Sequence, residues 1–144
     1  MSCKMMFEGR YLHGMFTGDM EGMPFQGTAV MGYNNVTKTY ESTWCDSMST
    51  GIMFSTGSYD SAKKAFTMKG EVADPVQGGK KKATREVTTL VSADKHTSEF
   101  FEPGMDGKEF KTMEITYTRK AGPAPAKPQT KADPKAGDTT THAK

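Results

Sequence analysis

The chain has 144 residues, 35% of them hydrophobic, with 19 Lys and Arg against 17 Asp and Glu for a net charge of +2. That length is one domain with material enough for a core. Four of the 19 basic and two of the 17 acidic residues fall in 121–144, which leaves 15 of each sign in the body; a charge-neutral body excludes a dedicated nucleic-acid surface, which needs a clustered basic face.

Along the chain, short runs of β-forming residues are broken by Gly, Asn, Asp or Pro about every eight to twelve residues, the pattern of barrels and sandwiches. Strands are predicted over 3–8, 10–20, 25–33, 39–48, 52–59, 65–72, 82–92, 96–102 and 109–119. Glu21-Gly22-Met23-Pro24 offers Gly for positive φ and Pro to end pairing, and Asn34-Asn35 tolerates the left-handed region. Asp60-Ser61 and Ala93-Asp94 suit type I turns, and Met105-Asp106-Gly107 reads as a hairpin turn. The link over 73–81 is rich in Gly and Lys and is expected to be a surface loop, with a flap at one mouth of a barrel as the alternative. No stretch holds a helical period for three turns.

Alternation sorts the faces. Tyr40, Ser42, Trp44, Asp46 and Met48 form one inward set, Phe25, Ala29, Met31 and Tyr33 a second, and Met113, Ile115 and Tyr117 a third. Ala83, Arg85, Val87, Thr89 and Val91 form a fourth, which carries a charge; Glu86 and Glu114 fall on the outer, solvated face. Gly14, Gly18, Gly27, Gly32, Gly57 and Gly70 lie within strands, where a small, tightly curled barrel needs bends. Short connections make an up-and-down meander the simplest topology. The fold expected is all-β: an antiparallel meander of about nine strands rolled into a calycin-like, lipocalin-like barrel over 1–120.

The Pro-, Ala- and Lys-rich segment 121–144 has no aromatic and no branched aliphatic residue, and is expected to be a disordered spacer. Two Cys, Cys3 and Cys45, are too few for a disulfide framework. No apolar run approaches the roughly 20 residues that span a bilayer as a helix, so no membrane partner is expected. The start, Met1-Ser2-Cys3-Lys4, lacks the layout of a signal peptide. As written, the chain reads as cytoplasmic, and as exported if an upstream signal segment is missing. The 12 Met are expected to fill irregular core space.

Several blocks carry a resemblance. They are Gly9-Arg10-Tyr11-Leu12, the run from Gly22 through Pro24 and Phe25 to Gly27, Gly32-Tyr33-Asn34-Asn35, Thr43-Trp44-Cys45-Asp46-Ser47-Met48, and Arg85-Glu86-Val87. Asp106-Gly107-Lys108-Glu109-Phe110 and Met113-Glu114-Ile115-Thr116-Tyr117-Thr118-Arg119 complete the set. In order and spacing, across most of 3–119, they resemble a bacterial domain family of unknown function, number fifteen seventy-nine. The resemblance implies a lipocalin-like or calycin-like barrel with no assigned reaction. Members of that family usually begin with a few dozen further residues, including a strand with a Gly-x-Trp element. This chain opens instead inside a predicted strand, so an open seam, and with it self-association or marginal stability, is expected.

Enzyme signatures are absent: no nucleophile elbow, no phosphate-cradling Gly loop and no His-Glu-x-x-His. His13, His96 and His142 are isolated, and no metal, cofactor or catalytic residue is assigned. Arg85 and Asp46, both placed inward, are the informative polar residues, because an unpaired buried guanidinium is very costly. Two readings of Arg85 stay open. It forms an internal ion pair with Asp46 or Glu99 beneath Trp44, or it takes the carboxylate of a small anionic ligand whose apolar part lies against Trp44, Tyr33, Tyr40, Met31, Met113 and Tyr117. The function expected first is a barrel that binds a small apolar or anionic molecule. The rival is a structural or interaction protein with a side-chain-filled barrel, acting through its surface or as a homodimer through the open edge; an enzyme ranks last. Small inward residues (Gly14, Gly27, Ala29, Ser42, Ala83) tilt the reading toward a cavity.

Overall fold

The computed structural model describes residues 1–104 and 106–120; the spacer assigned to 121–144, and Met105 of the 105–107 turn, lie outside the described residues. Nine strands follow one another: β1 (Ser2–Met6), β2 (Tyr11–Met20), β3 (Met23–Asn34), β4 (Thr39–Asp46), β5 (Met53–Asp60), β6 (Ala65–Asp74), β7 (Lys80–Ser92), β8 (Lys95–Pro103) and β9 (Glu109–Thr118). They form one antiparallel sheet in sequence order. Among the described residues β1 pairs only with β2 and β9 only with β8, so each keeps one free edge there, and the meander is a curled half-barrel with an open seam. The described residues contain no helix, and none long and apolar enough to cross a membrane.

Turn chemistry sets the hairpins. Glu21 (φ 54°) and Gly22 (φ 86°) make a two-residue turn with both central residues left-handed, the geometry that matches strand twist. Pro24 does not end pairing as expected; it lies in β3 opposite Asp19. β4 reaches along β3 only to Gly27, so the missing N–H of Pro24 deprives no partner strand. Asn34 serves as the anchor of its loop: its Oδ1 accepts from the N–H of Val36 (2.9 Å) and of Thr37 (3.3 Å), while Lys38 takes the left-handed conformation (φ 58°). Asp60 repeats this on the next hairpin, accepting from Ala62 (2.9 Å) and Lys63 (3.1 Å) ahead of left-handed Lys64. The link expected over 73–81 is shorter, because β6 runs on to Asp74 and β7 begins at Lys80. Asp74 tethers that loop by accepting from Val76 N–H (2.9 Å) and from Gln77 Nε2 (3.2 Å).

Residues directly opposite across a ladder share a face. The register Ala29 with Trp44, Met31 with Ser42 and Tyr33 with Tyr40 places the first two inward sets together. It continues through Ser42 with Ser55, Tyr40 with Gly57 and Gly57 with Met68. Met68 faces Glu86, Glu86 faces Phe100 and Phe100 faces Met113. This is the concave face, since rings from β2 and β9, on opposite sides of the seam, meet on it: Phe16 and Tyr117 lie 6.1 Å apart, centroid to centroid.

The same register corrects the fourth inward set. Arg85 pairs with Lys69 and with Phe101, so Ala83, Arg85, Val87 and Thr89 face the convex side and Glu86 faces the trough. Apolar alternation misleads here because both faces of β7 are mixed. On the concave side Thr84, Glu86 and Thr88 line an open, wet trough, while on the convex side the Arg85 guanidinium covers the Phe101 ring at 3.9 Å.

Candidate functional site

Of the eight residues singled out from the sequence, seven share the concave face; its aromatic residues form two clusters, and Met31 lies on β3 between the levels of Trp44 and Tyr40. Near one end, Tyr33 and Tyr40 have centroids 5.0 Å apart, Tyr40 meets Phe66 at 5.0 Å, and Phe66 meets Tyr59 at 4.6 Å. At the other level Trp44 meets Phe16 edge-on at 5.1 Å and stacks with Phe25 at 6.3 Å; Phe16 reaches Tyr117, which stacks on His96 at 4.7 Å. Met113 lies farther along β9 from Tyr117, opposite Phe100. Such offset and edge contacts contribute about 0.5–1.5 kcal/mol each beyond area burial.

Asp46 is a positioning group. Its Oδ2 accepts from Trp44 Nε1 at 2.6 Å and its Oδ1 from Met48 N–H at 2.9 Å, so the carboxylate fixes the indole and the end of β4 together. Met48 itself lies beyond the strand and is exposed, not inward. Gly14 and Gly27 are not gaps. The Phe16 ring covers Gly14, and the Trp44 indole lies over Gly27 so closely that an added Cβ there would fall 2.5 Å from Cη2. Ala83 is on the convex side.

Arg85 does not reach Asp46. It grips Glu109 with Nε at 2.9 Å and 3.0 Å from the two carboxylate oxygens and with Nη2 on one of them. Glu109 holds the guanidinium above its ordinary pKa, and Arg85 holds the Glu109 carboxyl below the usual carboxylate range. The pair is partly open to water and therefore screened. Arg85→Met is expected to lower the melting midpoint slightly, by an amount that shrinks as salt is added. Melting both proteins at two ionic strengths checks this.

The sequence reading passed over the polar stretch of the trough, on β7 and β8. Ser98, 5% exposed, and Thr88 hydrogen-bond through their hydroxyls at 2.7 Å, and Thr88 Oγ1 also approaches Glu86 Oε1 at 2.9 Å. Counting outward from Ala93-Asp94 would set Thr89 against Ser98; the irregularity between Leu90 and Ser92 shifts the register by one and pairs Leu90 with His96, Thr88 with Ser98 and Glu86 with Phe100, so no turn signal held this grouping. Burial pushes the His96 pKa down, against a smaller upward pull from Glu86. Burial pushes the Tyr117 phenol up, with Glu86 and Cys3 adding to it. His96 is therefore neutral at physiological pH. Lys82, also on this face, is committed to Glu102 at 2.7 Å.

The trough has apolar and polar stretches and is not sealed. Among the described residues no large side chain is fully buried; Met68 and Ala65 are the buried hydrophobics, while Tyr33 stays 46% and Met113 42% exposed. The Met residues therefore line a surface more than they fill a core: Met5 and Met113 on the concave face are exposed, and Met68 is the one buried Met among the described residues. Two open clefts of about 380 and 460 Å³ lie mainly on the convex side, the larger between Lys69, Ala83, Arg85 and Glu109. No group of three or more His, Cys, Asp or Glu among the described residues is placed to hold a metal ion.

A family model described as a protein of unknown function (DUF1579) matches residues 1–119. No curated protein matches the chain.

Proposed function

The chain belongs to the DUF1579 family, and we propose that it is a binding module that holds a small apolar molecule on the concave face of its half-barrel. One observation carries this reading: two aromatic clusters and several Met side chains face one trough, and nothing in the described chain seals them. Contiguous apolar surface left against water costs about 25 cal/mol per Å², which a bound apolar molecule recovers. A barrel acting only through its outside has no need of such a face. Because Arg85 points away from the trough, the anionic ligand considered from the sequence loses its anchor, and the ligand class narrows to apolar molecules.

Trp44, the single tryptophan, lies in the trough and reports on it. Titration with decanol is expected to shift and saturate Trp44 fluorescence, with one site per chain. A linear, non-saturating response removes the reading. A second reading rests on the free edges of β1 and β9, which offer unpaired backbone groups to another strand, including that of a second copy. It predicts association that depends on the seam and leaves Trp44 untouched by decanol.

A further inference from the structure

Resting on that reading, the polar group that the trough's ligand carries follows from its charges. Among the described residues four carboxylates face it, and three are engaged. Asp46 accepts from Trp44 and from Met48 N–H, Asp74 accepts from its own loop, and Glu102 bonds Lys82. Glu86 differs. One of its oxygens meets the Thr88 hydroxyl, and no cation pairs with it among the described residues. Its cross-strand partners are Met68 on one side and Phe100 on the other, with Met113 next beyond Phe100. A carboxylate set between aromatic and thioether side chains is the environment of an ammonium: the carboxylate supplies the counter-charge and ring faces supply the quadrupole. An anion placed there meets repulsion and no donor of full charge.

We propose that the concave site takes an amphiphilic amine, its protonated nitrogen held by Glu86 and the face of Phe100, and its apolar chain laid along the aromatic cluster of Trp44, Phe16 and Tyr117. The sign is the reverse of that expected when Arg85 was placed inward, and it follows from which parity of β7 faces the trough.

Decylamine, decanol and decanoate, identical in chain and different in head group, separate this proposal from the reading it rests on. Trp44 fluorescence at neutral pH gives the affinity of each. Decylamine is expected to bind roughly tenfold tighter than decanol, and decanoate more weakly than either. Glu86→Gln keeps a group that Thr88 can hydrogen-bond. It should bring decylamine down to the affinity of decanol and leave decanol unchanged, which also shows that the variant is folded. Equal binding of amine and alcohol by the unmutated protein overturns the amine proposal and leaves the apolar trough standing, without recourse to any variant. A preference that survives Glu86→Gln in a variant that still binds decanol overturns the role of Glu86. Failure of all three to bind overturns the proposal and the reading beneath it together.

Discussion

Gly57→Ala is expected to lower the melting midpoint by about 10 °C or more, the response to overpacking of about 3 kcal/mol. Gly57 lies on β5 between Tyr40 and Met68, where the sheet bends so sharply that a Cβ would fall 1.9 Å from the carbonyl oxygen of Thr67 and 2.7 Å from Met68 Sδ. A thioether end can swing aside. The carbonyl belongs to β6 and moves only if the β5–β6 ladder moves with it, so the cost falls on the curvature that makes a trough out of a flat sheet. Gly18→Ala is the matched control. It lies on β2 with nothing within 4 Å of the added Cβ and with ordinary φ, and should melt with or slightly above the unmutated protein. Thermal melts followed by far-UV circular dichroism decide between them; if Gly57→Ala melts with the unmutated protein, β5 and β6 do not approach as closely as described.

Trp44→Ala is the second large effect, with an expected loss of about 3 kcal/mol, the lower end for removing a large aromatic because the indole is only half-buried. It strips the contacts to Phe16 and Phe25, uncovers Gly27 and leaves Asp46 Oδ2 without its donor. Trp44→Phe separates the terms: it keeps most of the ring contacts and gives up the hydrogen bond to Asp46, for about 1 kcal/mol. Urea unfolding of the three proteins reads both. A cost below about 1 kcal/mol for Trp44→Ala would mean that the cluster on β2, β3 and β4 does not pack as a unit.

These two positions also show what the sequence made legible. Alternation over Tyr40, Ser42, Trp44 and Asp46 was readable because both aromatic residues of β4, Tyr40 and Trp44, fall on one parity and Glu41, Thr43 and Cys45 on the other. The bends were readable too, since glycines recur on neighbouring strands at Gly14, Gly27, Gly57 and Gly70. What those glycines accommodate was not: Gly27 takes the Trp44 ring and Gly57 the backbone of β6, so neither opens a cavity.

On β7 the same rule pointed the wrong way. It assumes that the inner face is dry, and here the inner face is a trough that water enters, so Glu86 and Thr88 are tolerated inside while Val87 and Arg85 face outward. The partner of Arg85 was out of reach for a related reason. Glu109 meets it across β8, and the register of β9 changes at the irregularity between Phe100 and Phe101, which leaves no mark in a single sequence.

Native mass spectrometry of the protein purified gently from its host tests most directly the claim that the concave face holds a small apolar molecule. The expected spectrum is a monomer carrying a small extra mass that disappears on denaturation and is displaced by decanol. A clean mass of the bare chain, whether as monomer or as a dimer formed through the free edges of β1 and β9, would contradict it.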